Sequence, residues 1–317
     1  MNNKFNNILV CGSLVYDRIM DFPGKFSEHI LPGKTHILNL SFTVNGVKES
    51  FGGTGGNITY NLALLGETPK LIAAAGRDFG KYAAWLRGNK IDITGVKVVK
   101  TELTASAYIM TDQADNQITA FYPGSKIQTS PQPLLSKERG NNVLAIIAPD
   151  LVARMVKYAK IFKQNKIPYI FDPGQQITSL SAKELKWAIN GAKMLVGNDY
   201  EIELILKKLG LKLKQLENIA EILVITKGGH GSEIYNKNKK IIIPPAKPKL
   251  VLDPTGAGDA YRAGFIKGLV MDWPLEKCGR LASVVAVYTV EKYGTQTHTF
   301  SWGELEERYR ENYGEEL

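Results

Sequence analysis

Cysteine is scarce in this chain: two residues in 317, Cys11 and Cys278. Two thiols cannot build a disulfide framework, and they point to a reducing compartment, so a cytoplasmic location is expected. No run approaches the ~18 consecutive apolar residues of a membrane-spanning helix. The opening MNNKFNN lacks the basic and apolar regions of a secretory signal. Four histidines (His29, His36, His230 and His298) show no H-E-x-x-H or other paired spacing, so no zinc site is expected. There is no internal repeat and no low-complexity tract. Charge of one sign is present but not concentrated. Forty Lys and Arg against 31 Asp and Glu leave +9. The densest basic stretches, 207–214 and 237–240, sit in amphipathic and turn patterns that read as solvated surface. With no zinc-finger spacing and no aromatic RNA-binding signature, neither nucleic acid nor a membrane is an expected partner.

What is there is ordinary globular composition, 44% hydrophobic and 22% charged, which argues against disorder or a fibre. Short continuous apolar runs at 8–11, 70–75, 143–148, 168–171, 194–196 and 222–225 read as strands of a parallel sheet covered on both faces. Helical patterns at 54–65, 151–163, 200–209 and 274–293 lie between or after them, the last opened by Pro274 and stopped by Gly294. This rhythm predicts a single doubly wound α/β domain over 1–317. Two segments break it. Residues 35–44 and 106–122 are strand-like without a crossover helix, and Asp112, Ala114, Asp115 and Asn116 form a hairpin turn pattern between Met110 and Ile118. Lid strands are therefore expected at about 14–45 and 104–123; an edge hairpin without a gating role is the alternative.

The most informative stretch is Asp253-Pro254-Thr255-Gly256-Ala257-Gly258-Asp259, followed by Ala260-Tyr261-Arg262-Ala263-Gly264-Phe265. Proline and two glycines oppose a helix up to Gly258, and a helical pattern with Phe265, Ile266 and Leu269 on one face follows. A glycine loop opening a helix offers free N–H groups and the positive end of the dipole to an anion. A carboxylate there, Asp259, suits proton abstraction from a hydroxyl attacking phosphorus, or else caps the helix. Phe51-Gly52-Gly53-Thr54-Gly55-Gly56-Asn57 is a second glycine loop opening a helix, built for close backbone approach or for a tight turn. The Rossmann G-x-G-x-x-G is missing at every G-x-G pair, and Glu28 stands where a P-loop ending at Lys34-Thr35 needs its first glycine.

These two loops resemble the paired signatures of the ribokinase-like (PfkB) sugar and nucleoside kinases. Gly12-Ser13 followed by Asp17, Asn198-Asp199-Tyr200-Glu201 and Thr226-Lys227-Gly228-Gly229-His230-Gly231 resemble further family elements in the family's order. The resemblance spans nearly the whole chain and implies a three-layer α/β/α fold with a mostly parallel central sheet and a small β lid. It implies Asp259 as catalytic base, with Gly256, Ala257 and Gly258 giving amides to the transferring phosphoryl group. Asn198 and Glu201 would organise Mg²⁺ through water, and Asn198, Thr226, Gly228 and Gly231 would line the ATP site. Asp17, Gly53 and Asn57 would hold sugar hydroxyls.

Further pieces are similar to the prokaryotic adenosine and broad-specificity nucleoside kinases: residues 12–17, 29–32, 39–42, 116–124 and Asp172-Pro173-Gly174-Gln175. This similarity implies an ATP- and Mg²⁺-dependent kinase acting on a ribose 5′-hydroxyl, adenosine first, then inosine, guanosine or cytidine. Phe42, Phe121 and Tyr122 fall in the lid, where a base could stack, or form the lid's own core. Phe121 is the substrate candidate among them. Pro254 stands where many relatives carry threonine, which leaves the monovalent-cation requirement of some members open here. A family sugar kinase and a nucleoside-binding protein without turnover are the alternatives, and the chain is expected to be a monomer or a lid-mediated homodimer.

Overall fold

In this computed structural model, which describes residues 5–30, 39–114, 116–127 and 142–317, thirteen strands divide between two sheets. Along the chain these are β1 (Asn7–Cys11), β2 (Val15–Asp21), β3 (Val47–Gly52), β4 (Lys70–Gly76), β5 (Asp92–Val99), β6 (Ala105–Thr111), β7 (Gln117–Tyr122), β8 (Val143–Ile147), β9 (Tyr169–Phe171), β10 (Met194–Asn198), β11 (Ile222–Thr226), β12 (Ser232–Asn236) and β13 (Lys239–Ile243). The helices are α1 (Thr54–Leu64), α2 (Gly80–Gly88), α3 (Val152–Gln164), α4 (Ala182–Ile189), α5 (Asp199–Leu209), the single turn α6 (Leu213–Leu216), α7 (Ala257–Val270), α8 (Leu275–Val290) and α9 (Trp302–Tyr313).

The large sheet has the order β13-β12-β11-β10-β9-β8-β1-β4-β5. It is parallel from β11 through β5, with β12 and β13 added as antiparallel edge strands. Its strands are apolar on both sides because both sides are covered. Val10, Leu144, Ile146 and Ala148 pack toward α1, α2, α7, α8 and α9. Leu9, Cys11, Ala145 and Ile147 pack toward α3, α4, α5 and α6. This is the expected three-layer ribokinase-like architecture. Both cysteines are buried free thiols. His298 is a core histidine whose Nε2 lies 2.8 Å from Asn61 Oδ1. Among the described residues no helix is long and apolar enough to cross a membrane.

The chain leaves β1 in one direction for β4 and β5, and reaches β8 to β11 in the other. In such sheets ligands bind beyond the carboxyl ends of the strands at the reversal point, here beside β1. The small sheet, ordered β3-β2-β6-β7, follows β1 at that end. Its β6–β7 hairpin is the expected one, with the backbone N–H groups of Ala114 and Asn116 donating to Asp112 Oδ1 at 2.9 Å each. Asp115 lies outside the described residues. The expected strand at 35–44 is not where the sheet forms. Residues 35–38 lie outside the described residues, and 39–44 carry no strand. The strands flanking them, β2 and β3, pair instead, Asp17 opposite Ser50. The charged residues of VYDRIMD and VKESFG hide the strands from an apolar-run reading.

Candidate active site

Two helices begin on bare glycine at the carboxyl end of the sheet. Gly53 caps α1 with φ +87°, and Gly256 caps α7 with φ +80°; neither start carries a side-chain cap. By contrast α4, α5 and α9 each start on a reciprocal capping box, Ser181–Glu184, Asn198–Glu201 and Ser301–Glu304. The first-turn amides of α7 are thus without a side-chain partner where the dipole is positive, the arrangement that suits an anion, whereas at α1 the Thr54 N–H donates to Ser13 Oγ at 3.2 Å and the Gly55 and Gly56 N–H groups to the Ser13 carbonyl. The loop before α7 is held open by Asp253, whose Oδ1 accepts from Thr255 N at 2.9 Å and Oδ2 from Gly294 N at 3.0 Å. Gly12 and Gly55 let the end of β1 touch α1, since a Cβ on Gly12 would stand 2.8 Å from Gly55 N.

Asp259 lies in the first turn of α7, beyond the cap. Its Oδ2 accepts from Asn57 Nδ2 at 2.8 Å. Burial pushes its carboxyl up to about 6, against the pull of Arg262 and Asn57. Arg262, one turn further on, is paired with buried Asp172 at the end of β9, its NH2 donating to Oδ1 at 3.0 Å. This pair escapes the reading of residues by motif, yet two signals could have found it. Arg262 follows Asp259 at helical i+3 spacing, and Asp172 opens a Pro-Gly turn after an apolar run.

A cavity of about 470 Å³ joins these groups, lined among others by Thr54, Asp172, Asn198, Glu201, Gly256, Gly258, Asp259 and Arg262. Asn198 and Glu201 face it with their side chains already engaged in the α5 capping box, each contact 2.8 Å. Glu201 Oε2 is committed to the Asn198 N–H, while Oε1 has no hydrogen-bond partner among the described residues. Burial raises its carboxyl above the usual glutamate range. Among the described residues no three acidic, histidine or cysteine side chains converge into a direct metal cage. Donors spaced singly around a roomy polar cavity fit a cation that keeps its water.

A second cavity of about 290 Å³ adjoins the first and shares Thr226, Gly228 and Gly258 with it. Its other walls are mostly apolar, from residues such as Pro245, Ala246, Val251, Val287 and Val290, with Ser283 and Tyr261 as polar exceptions, and Gly231 and Ala257 also line it. Gly231 has φ +83°, and a Cβ there would overlap the Ile243 carbonyl. A flat heterocycle fits the apolar cavity and a polyphosphate the polar one.

The small sheet brings Asp17 to the same end. Burial, and secondarily the charge of Asp253, push its carboxyl up to about 6. Asp17 is in register with Ala107, and Ala107 with Phe121, so all three share one face of the sheet. Phe121 is 59% exposed there. Tyr122 points to the opposite face, where its hydroxyl donates to Glu102 at 3.1 Å. Phe42 belongs to a cluster with Phe22, Phe26 and His29, ring centroids 4.8–5.5 Å apart. Of the three aromatics considered for stacking, Phe121 alone stands on the Asp17 face. Gly53 and Asn57 sit at the start of α1 between the two carboxylates' elements, Asn57 reaching Asp259.

The family model for the pfkB family of carbohydrate kinases matches residues 8–301. The chain belongs to this family. A nucleoside kinase of Methanocaldococcus jannaschii is 32% identical to it over 310 residues, 97% of this chain and 98% of the relative. The crystal structure of an M. jannaschii nucleoside kinase matches with a TM-score of 0.85 at 31% identity, over 98% of this chain and 99% of the other. The nucleoside kinase of Burkholderia thailandensis in complex with inosine matches with a TM-score of 0.84 at 32% identity, over 98% of this chain and all of the other. This pfkB member is therefore a kinase that transfers phosphate to an alcohol of a sugar or nucleoside.

Proposed function

We propose that this kinase phosphorylates the 5′-hydroxyl of a purine ribonucleoside, adenosine first, with ATP as donor and Asp259 as the general base. The observation that carries the reading is the placement of two half-buried carboxylates at the same end of the molecule, one beside the uncapped amides of α7 and one on an aromatic-bearing sheet face. Asp17 suits the 2′,3′-diol, because a carboxylate accepts from two hydroxyls at once. Phe121 gives the nucleobase a flat partner on the same face. A free sugar has no use for that ring, which favours a nucleoside over ribose or fructose. The inosine bound to the B. thailandensis relative supports a purine.

In this reading the adenine of ATP takes the apolar cavity and its phosphates the polar one. Asp259 accepts the 5′-hydroxyl proton as the hydroxyl oxygen bonds to the γ-phosphorus and the bond to the departing ADP breaks. Amides of Gly256, Ala257 and Gly258 and the α7 dipole stabilise the negative charge on the moving phosphoryl group. Arg262, held by Asp172, keeps a cation beside Asp259 and restrains the upward push of burial. Magnesium, carried in with ATP, would be held through water by Asn198 and Glu201 and would neutralise phosphate charge. The small sheet, closing over the nucleoside, would exclude water from the transfer.

The test is a panel of ribonucleosides and free pentoses and hexoses with ATP, followed by ³¹P spectroscopy of the product. The expected product is a nucleoside 5′-monophosphate with adenosine or inosine preferred. Turnover of ribose or fructose ahead of every nucleoside would overturn the nucleoside assignment. Nucleoside binding without product would make the chain a binding protein.

A further inference from the structure

One glycine of the 51–57 loop, Gly56, has no part in the proposed chemistry. A Cβ on Gly56 would overlap the Tyr82 hydroxyl and stand 2.9 Å from Gln296 Nε2. The space that Gly56 leaves is filled by a buried chain of side-chain hydrogen bonds. Trp85 Nε1 donates to Gln296 Oε1 at 3.0 Å. Gln296 Nε2 donates to Asn57 Oδ1 at 3.0 Å and to the Tyr82 hydroxyl at 2.6 Å. Asn57 Nδ2 donates to Asp259 Oδ2 at 2.8 Å, and the Tyr82 hydroxyl donates to the Gly52 carbonyl at 2.8 Å. Gly52 in turn abuts Asp17, whose Oδ2 a Cβ on Gly52 would overlap.

We propose that Gln296 is a positioning residue for phosphoryl transfer, setting the sense of a buried relay that is anchored on the Trp85 indole and ends on Asp259 and on the Gly52 carbonyl beside Asp17. The argument rests on what each group can do. An indole N–H only donates, so the atom of Gln296 facing Trp85 is its oxygen. Its NH₂ then faces Asn57 and Tyr82, which makes the facing atom of Asn57 an oxygen and turns the Asn57 NH₂ toward Asp259. The Thr295 hydroxyl, 2.8 Å from the same Asn57 oxygen and 3.1 Å from the Phe51 carbonyl, both donates and accepts, so the sense is set from the Trp85 end. A reversed Asn57 would set its oxygen against the ionised carboxylate and its NH₂ against the Gln296 NH₂.

The two ends of the relay differ once the reaction begins. Once Asp259 takes the hydroxyl proton on its other oxygen, Oδ2 is the acceptor of a neutral rather than an ionised group, so its hold on the Asn57 amide weakens during the cycle. Trp85 does not titrate, and its ring is packed between Phe51 and Tyr60, each centroid 5.9 Å away. With Oδ2 held by Asn57, the oxygen of Asp259 that receives the proton is Oδ1.

This inference deepens the kinase reading and rests on it, but its test does not need turnover. Aspartate labelled with ¹³C at the side-chain carboxyl gives a titration for Asp259, its signal identified by its loss in Asp259→Asn. Wild type should titrate near 6, where burial holds it. Gln296→Met keeps the volume and removes all three relay contacts; the Asp259 midpoint should rise by about one unit as the Asn57 bond to the carboxylate loosens. In nucleoside turnover at pH 7, kcat should fall about twofold, as the ionised fraction drops from about nine-tenths to one half, with the KM for ATP unchanged. Trp85→Phe keeps the ring stack and removes the N–H; the midpoint should rise by about a third of a unit. It decides the matter if Gln296→Met does not fold. A lower melting temperature with the Asp259 midpoint unmoved in both variants would make Gln296 purely structural and overturn the proposal. If wild type phosphorylates no nucleoside or sugar, the kinase reading fails while the carboxyl titration still decides the relay.

Discussion

The two carboxylates Asp17 and Asp259 are both weakened as acids, each held near 6, and have opposite surroundings. Asp259, in the α/β body, is held by Asn57 and faces the Arg262 cation. Asp17, on the small sheet, has no hydrogen-bond donor among the described residues, and the charge of Asp253 adds to the push of burial. A buried carboxylate without donors is costly to keep ionised, so Asp17 gains most from a ligand that brings its own hydroxyls. Asp259 is already oriented and keeps one oxygen for a proton. In the proposed reading the body site would be preorganised for chemistry and the sheet site completed by substrate.

The largest way to break this contrast is Asp259→Asn. It keeps the shape and removes the proton acceptor, so kcat should fall by roughly 10²–10⁴ with little change in nucleoside affinity. Steady-state kinetics on a purified variant checks this, and a near-normal kcat would remove Asp259 from the chemistry. The same variant sharpens the stability side. An unfolded aspartate titrates near 3.8 and the folded Asp259 near 6. Below the first value both states are protonated and burial carries no ionic penalty. As pH rises through the second, the folded state must hold a buried charge and stability is lost. Asp259→Asn should therefore gain ~2–3 kcal/mol over wild type at pH 8 relative to pH 4, read by denaturant titration at the two pH values. Equal differences at both would mean that the buried charge is compensated. The smallest effect belongs to the sheet face. Phe121→Ala should raise the KM for adenosine about fivefold, worth ~1 kcal/mol of stacking, and leave the KM for ATP alone. An unchanged adenosine KM would take Phe121 out of base contact.

How much of this was legible in the sequence follows from what each element uses. The parallel strands announce themselves because both faces are buried, so their apolar runs are unbroken, as in Ile8 to Cys11. Strands β2 and β3 do not, because residues such as Asp17, Arg18 and Lys48 interrupt the pattern; the expected lid span of about 14–45 covers β2 without locating it and stops short of β3. The glycine loops were legible because Gly53 and Gly256 need the left-handed region. The Arg262–Asp172 pair was half legible, one partner at helical spacing from Asp259 and the other far off in the chain. Gln296 was not legible at all. It meets Asn57, Tyr82 and Trp85 only through folding, and no local spacing links them.

The most direct test of the contrast compares adenosine with 2′,3′-dideoxyadenosine in wild type and in Asp17→Ala. The account predicts that wild type loses ten- to a hundredfold in kcat/KM on the dideoxy substrate, the ~1.5–3 kcal/mol of hydrogen bonds to a charged group. It predicts that Asp17→Ala loses about as much on adenosine and discriminates little between the two, with the KM for ATP unchanged. Equal kcat/KM for both substrates in wild type would contradict it, because Asp17 would then be reading something other than the diol.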